Sequence, residues 1–213
     1  MVKKIIMLSI AMIVAMVAVA QPKNTDRALW KAAKKKAKEI RKEGWKIDGS
    51  KTLEEAFFYH YKKLQDGANQ ELTATVNGNT SIKTLNQAQK WAIRNITTNY
   101  AEQSKQHIRG RLVSETGAGI EGAPSVDDFY SAYENLISTT LEGEVKVSIS
   151  LYREKDGESG AFDYRIIALI NEEAASNARL KAMQRALAES EFARANAERI
   201  SEFVREGFEY KEP

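Results

Sequence analysis

Apolar and polar residues alternate without a break between residues 145 and 151. The apolar positions are Val145, Val147, Ile149 and Leu151, and every residue between them is polar. A period of two predicts a β-strand with one buried face. A charged, glycine-containing stretch leads from this strand to a second apolar run over residues 162–170. We therefore expect the two segments to pair as an antiparallel hairpin.

Helical periodicity accounts for most of the remaining chain. It predicts helices over about residues 26–42, 52–65, 81–113, 125–137 and 172–206. Leu72, Ala74 and Val76 alternate with polar neighbours ahead of Asn77-Gly78, which predicts one more strand. The predicted fold class is α+β, with a small antiparallel sheet of about three to four strands packed against long helices. A basic helix lies at the N-terminal side and a long helix at the C-terminal side.

The first twenty residues have the pattern of a secretory signal peptide. Lys3 and Lys4 precede an apolar run, and Ala18-Val19-Ala20 precedes Gln21. The run is shorter than the roughly 20 residues that span a bilayer. We expect cleavage between Ala20 and Gln21 and export to the periplasm, the outer envelope or the medium of a Gram-negative bacterium. The mature chain is then not an integral membrane protein, with a basic helical segment over residues 21–50 and one α+β domain over residues 51–213.

The chain contains no cysteine. A bacterial lipoprotein is acylated on a cysteine at its cleavage point, so the sequence predicts an exported protein without a lipid. Thiol catalysis and thiolate metal sites are excluded for the same reason.

Positive charge is concentrated next to the predicted cleavage point. The formal net charge of +3 falls to +1 when Lys3 and Lys4 are removed, yet residues 21–50 hold ten Lys or Arg against four Asp or Glu. The candidate contacts for an anionic ligand are Lys34, Lys35, Lys36, Lys38, Arg41 and Lys42, flanked by Trp30 and Trp45. Phosphate groups on lipid or lipopolysaccharide would neutralise this patch, and no nucleic-acid partner is expected. The alternative is a solvated helix face whose tryptophans pack back on the domain.

No catalytic, metal or cofactor site is predicted. Residues 117–122 spell G-x-G-x-x-G, but a helix precedes them where a dinucleotide site needs a strand, so a loop is expected. His60 and His107 each stand alone and are expected to be surface or partly buried residues. The adjacent carboxylates at 127–128 and 172–173 are expected to be helix-start charges.

The order of elements resembles that of small outer-membrane lipoproteins, the family that includes the flagellar basal-disk lipoprotein. The segments that carry this likeness are LNQAQKWAIRNI, SVDDFYSAYENLIS, EVKVSISLY and FDYRIIALI, within roughly residues 70 to 175. The C-terminal stretch is similar to that of uncharacterised exported proteins from Gram-negative gut anaerobes. The resemblance implies a helix-on-sheet domain that works by assembly or by contact with envelope components. This chain departs from the family because it lacks the acylated cysteine, so no residue is carried over as a site.

Two functions follow as expectations, and neither is enzymatic. The first is protein–protein contact or self-assembly in the envelope through the apolar end of the last helix. Its candidate contacts are Ile200, Phe203, Val204 and Phe208. The second is binding of an anionic envelope ligand through the basic N-terminal helix.

Overall fold

The structure is a computed structural model that describes residues 25–65, 67–78, 82, 84–116, 124–155 and 161–189. Within these ranges the chain forms five helices and four strands. In chain order they are α1 (Thr25–Lys42), β1 (Lys46–Ile47), α2 (Leu53–Leu64), β2 (Asn69–Val76), α3 (Leu85–Thr116), α4 (Pro124–Leu141), β3 (Lys146–Glu154), β4 (Phe162–Asn171) and α5 (Glu172–Glu189). The predicted α+β fold class is confirmed.

The four strands form one antiparallel sheet in the order β1-β3-β4-β2. The predicted hairpin is present, since Lys146 pairs with Leu169 and Glu154 pairs with Phe162 across β3 and β4. β2 pairs with the other side of β4 along its whole length. β4 is therefore central, and its apolar run over residues 166–170 is buried on both faces of the sheet, as the continuous pattern predicted.

Helices α1 and α2 pack on one face of the sheet. The predicted apolar positions Ala33, Ala37 and Ile40 of α1 are buried there, in one cluster with residues of α2, β3 and β4. Thr52 begins α2 with a capping box, in which its hydroxyl accepts from the backbone N–H of Glu55 and its own N–H donates to the Glu55 carboxylate. Because α1 shares this core, residues 25–47 are an integral layer of the domain.

The first half of α3 covers the opposite face of the sheet. Successive side chains of a strand point to opposite faces, so Tyr164, Ile166 and Ala168 of β4 face away from α1 and α2. They pack with Ala88 and Ala92 of α3.

The second half of α3 forms a separate core with α4 and α5. The length and apolar spacing of the last helix predict that its first half packs on the sheet, and the structure differs. α5 lies chiefly on α4 and reaches the sheet through Ile170 of β4. Small side chains on its inward face explain this close helix–helix contact, namely Ala175, Ala178, Ala182 and Ala186.

A buried arginine ties α5 to its neighbours. Arg179 is 2% exposed, and it donates to the hydroxyl of Tyr100 and, at 2.6 Å, to the carboxylate of Glu172. Gln70 of β2 donates to the other oxygen of Glu172. Glu172 therefore does more than the helix-start role predicted for it, while Asn171 caps α5 by accepting from the next backbone N–H groups.

Candidate functional site

Five lysines of α1 point to solvent along one side of the helix. They are Lys31, Lys34, Lys35, Lys38 and Lys42, and we call them the lysine face. Residues three, four, seven and eleven positions apart share a side of an α-helix, and all five are exposed. At a rise of 1.5 Å per residue the face is about 16 Å long. Among the described residues, none of the five forms an ion pair.

The other side of α1 is fixed to the domain. Ala33 and Ala37 are fully buried, and the ring of Trp30 stacks on Phe58 with 4.5 Å between centroids. Trp45 is 2% exposed. The tryptophans therefore pack on the domain, as the second of the two alternatives predicted. They do not flank the lysines as ligand contacts. Since α1 cannot rotate without exposing this core, the lysine face is held outward.

Two of the six predicted contacts are engaged within the protein. Arg41 donates two hydrogen bonds of 2.5 and 2.6 Å to the carboxylate of Glu54, so this hydrogen bonding raises the pKa of Arg41 and lowers the pKa of Glu54. Nζ of Lys36 lies 3.7 Å from a carboxylate oxygen of Glu39. The structure brings the other four predicted residues together and adds Lys31, which sequence reasoning missed. Its spacing of three and four residues from Lys34 and Lys35 was the available signal.

α1 ends in a Schellman motif that turns the chain into the sheet. The N–H of Gly44 donates to the carbonyl of Arg41, and the N–H of Trp45 donates to the carbonyl of Ile40. Gly44 has φ = +81°, a left-handed conformation that favours glycine. The motif places Lys42 beside the end of the β3–β4 hairpin at which the connecting loop begins, near Arg153 and Asp163.

A groove of about 650 Å³ lies at this junction. We call it the charged groove, and its lining residues are Lys42, Glu43, Gly44, Lys46, Arg153, Glu154, Lys155 and Asp163. It adjoins the lysine face, because Lys42 belongs to both. The groove was not predicted from the sequence, since its lining comes from residues 42–46 and residues 153–163, which are more than a hundred positions apart.

Trp45 organises the cations on the hairpin side of the groove. The guanidinium carbons of Arg153 and Arg165 lie 4.8 and 4.3 Å from the centroid of its ring. Arg153 also donates to Oδ2 of Asp163 at 2.8 Å, and Asp163 is only 5% exposed. The aromatic ring and the buried carboxylate together hold Arg153 in place.

His60 is a second polar cluster that the sequence did not predict. The expectation of a surface or partly buried position is wrong for His60, because its ring is fully buried under α2. Nδ1 lies 3.0 Å from Oγ of Ser148, and Nε2 lies 2.6 Å from a carboxylate oxygen of Glu71. Ser148 sits at a β-bulge between Val147 and Ile149, which turns its side chain to the histidine.

This serine, histidine and glutamate have the order of a hydrolase triad, yet none of them lines the charged groove. The ring has no exposed surface, so a substrate does not reach it. The cluster ties α2 to β2 and β3. The geometry therefore favours a structural role for this cluster over a catalytic one.

Several predicted positions lie outside the described residues. These are the signal peptide over residues 1–20, the glycine pattern over residues 117–122 and the partner-helix contacts Ile200, Phe203, Val204 and Phe208. Within the described ranges, no three His, Asp or Glu side chains cluster as metal ligands. None of the described helices is both long and apolar enough to span a membrane.

No protein-family model, curated protein or solved structure matches this chain. A functional assignment therefore depends on the geometry of the lysine face and the charged groove.

Proposed function

We propose that this protein is a non-enzymatic component of a bacterial envelope that binds an anionic envelope ligand, a lipid or lipopolysaccharide surface, through the lysine face of α1. The observation that carries the proposal is the set of five exposed lysines on one side of a helix whose other side is buried. The predicted signal peptide supports an envelope location, because export would bring this face to membrane surfaces.

The composition of the face indicates a peripheral, electrostatic mode of binding. Trp45 is buried and the partly buried ring of Trp30 is stacked on Phe58, so the lysine face offers chiefly ammonium groups. A lysine near an anionic lipid surface contributes about 1 kcal/mol, and the attraction falls off within a Debye length of about 8 Å at physiological salt. We expect affinity to fall steeply as salt rises.

Vesicle cosedimentation of the exported form, which begins at Gln21, tests the proposal. The probes are phosphatidylcholine vesicles with and without phosphatidylglycerol, and lipopolysaccharide aggregates. The test variant is Lys34→Gln, Lys35→Gln and Lys38→Gln combined. We expect binding only to the anionic probes, and a loss of about a hundredfold in affinity in the variant, since about 3 kcal/mol is removed.

The matched control carries the same change of charge elsewhere. Lys63, Lys90 and Lys181 are exposed on α2, α3 and α5, and their combined change to Gln is expected to lower affinity by less than about threefold, because only long-range attraction is lost. Equal losses in the two triple variants would show that net charge, not the lysine face, determines binding. Equal binding of wild type to neutral and anionic vesicles would also refute the proposal.

Protein contact through the predicted C-terminal end of the last helix remains the other proposal. It is supported by the apolar residues at 200, 203, 204 and 208 and by the resemblance to envelope lipoproteins that assemble. The two functions are compatible, because the lysine face and residues 200–208 lie in different parts of the sequence.

A further inference from the structure

The charged groove carries both signs of charge in nearly equal number, unlike the lysine face beside it. Its cations are Lys42, Lys46, Arg153 and Lys155, and its carboxylates are Glu43, Glu154 and Asp163. A ligand with a single charge would meet like charges on part of the lining. We propose that the groove binds an aminoalkyl phosphate, a group that carries a primary ammonium close to a phosphate. This inference rests on the proposed function, because Lys42 places the groove at the end of the lysine face.

Asp163 supplies the acceptor for the ammonium. Its Oδ2 accepts from Arg153 at 2.8 Å, whereas its Oδ1 is buried and has no hydrogen-bond partner. Nζ of Lys155 forms an ion pair with Oδ1 at 3.6 Å, a separation that is beyond hydrogen-bonding distance. A buried carboxylate oxygen without a donor is costly, and an ammonium group brings three donors and no acceptor. A ligand ammonium therefore completes the coordination of Asp163.

The lysines at the rim supply the contacts for the phosphate. Lys42 is exposed, and no ion pair between described residues includes it. Nζ of Lys46 pairs with Glu154 at 2.9 Å, and Nζ of Lys155 donates to the carbonyl of Gly78 at 2.9 Å. An ammonium keeps two further donors after one such bond. These three side chains can bind phosphate without giving up their present partners.

Phosphoethanolamine is the simplest group with this chemistry, and it has two sources in an envelope. It is the headgroup of a phospholipid, and it is also a substituent of polysaccharides. Calorimetric titration with soluble O-phosphoethanolamine tests the groove alone, with inorganic phosphate and ethylammonium as the two half-ligands. Vesicles of phosphatidylcholine with or without phosphatidylethanolamine then test the lipid source.

We expect O-phosphoethanolamine to bind at least tenfold more tightly than either half-ligand. Asp163→Asn should remove that preference and leave the weak binding of inorganic phosphate unchanged. Lys42→Gln, an exposed substitution that keeps the fold, should weaken the binding of O-phosphoethanolamine several-fold. Asp128→Asn on α4 is the control for loss of one carboxylate, and it should change neither the affinity for O-phosphoethanolamine nor the affinity for inorganic phosphate. Near-ultraviolet circular dichroism confirms that each variant is folded.

Equal affinity for O-phosphoethanolamine and inorganic phosphate would overturn the proposal, as would full retention of the preference in a folded Asp163→Asn protein. The lysine-face triple variant separates this failure from failure of the proposed function. If that variant no longer binds anionic vesicles and the wild-type protein does not bind O-phosphoethanolamine, the lysine-face proposal is supported and the groove proposal is refuted. If wild type binds O-phosphoethanolamine but no vesicle, the groove proposal stands with a polysaccharide source, and the proposed lipid surface is refuted.

Discussion

Nε2 of His60 lies 2.6 Å from a carboxylate oxygen of Glu71, and this contact joins α2 to the edge strand β2. Nδ1 of the same ring reaches Ser148 on β3. The histidine is fully buried, whereas Glu71 is 44% exposed. One side chain thus connects a helix to two strands that are not neighbours in the sheet, since β4 lies between them.

Replacement of His60 by Ala is expected to lower the free energy of unfolding by about 2 to 4 kcal/mol. The change leaves a cavity under α2 and removes the partner of Ser148, and each effect is costly in a buried site. Urea denaturation followed by circular dichroism measures the loss. Lys63→Ala on the exposed side of the same helix is the control, with an expected change within about 0.5 kcal/mol. A loss that small for His60→Ala would contradict the tie between α2 and the sheet.

Hydrophobic periodicity predicted the sheet and helices because it records which face of each element is buried. Alternation from Val145 to Leu151 was enough to place β3, and the unbroken apolar run before Asn171 showed that β4 is central. The prediction of one buried face for β3 was wrong, because the bulge between Val147 and Ile149 leaves Val145 and Val147 on the α3 face and Ile149 and Leu151 on the face of α1 and α2. The position of α5 was beyond this reasoning. Its inward alanines are equally compatible with a sheet or a helix, and only the presence of α4 decides between them.

The lysine face was predicted in large part, and the charged groove was not. Local spacing places Lys34, Lys35 and Lys38 on one side of a helix, so no tertiary information is needed. The groove depends on a sheet that brings Asp163 and Arg153 beside the end of α1. Likewise, the pattern around His60 is apolar and aromatic, but Ser148 and Glu71 are 88 and 11 positions away.

Gly78 is expected to tolerate no side chain. A Cβ at this position would lie 1.7 Å from the carbonyl oxygen of Phe162, so the backbone at the start of β4 would have to move. Gly78→Ala should therefore destabilise the protein by more than about 2 kcal/mol, a loss of the size that overpacking causes. It should also disturb the bond from Lys155 to the Gly78 carbonyl. Thermal and urea denaturation measure the effect.

Gly110 provides the matched control for that substitution. It lies inside α3, and a Cβ there would meet no atom within 4 Å. Gly110→Ala is expected to stabilise the protein by about 0.5 to 1 kcal/mol, because alanine has the higher helix propensity. If Gly78→Ala raises the unfolding midpoint as Gly110→Ala is expected to do, the close approach at Gly78 is wrong.

The apolar end of the chain gives a prediction for assembly. Ile200, Phe203, Val204 and Phe208 are expected to form a partner contact, so the exported form should self-associate or capture an envelope protein. Changing all four to Ser should shift the mass measured by light scattering to that of a monomer. A wild-type protein that stays monomeric at high concentration, with no partner recovered by crosslinking in cells, would rule this contact out.

Buried tyrosines make stability fall at alkaline pH. Burial raises the pKa of Tyr100 and of Tyr164 from 10.0 to about 12, so the unfolded chain loses these protons first as pH rises. Between pH 10 and pH 12 the folded state binds more protons than the unfolded state, and the free energy of unfolding decreases with pH. Each tyrosine contributes at most about 1.4 kcal/mol per pH unit. Their contribution is fully present below pH 10.

Urea denaturation at pH 9 and pH 11 checks this dependence, and absorbance at 295 nm follows the ionisation of tyrosine directly. Tyr100→Phe should reduce the slope between the two pH values, since it removes one of the delayed protons. Tyr59→Phe is the control for loss of a tyrosine hydroxyl, because Tyr59 is 50% exposed. A Tyr100→Phe slope equal to that of wild type would show that Tyr100 ionises alike in the folded and unfolded states.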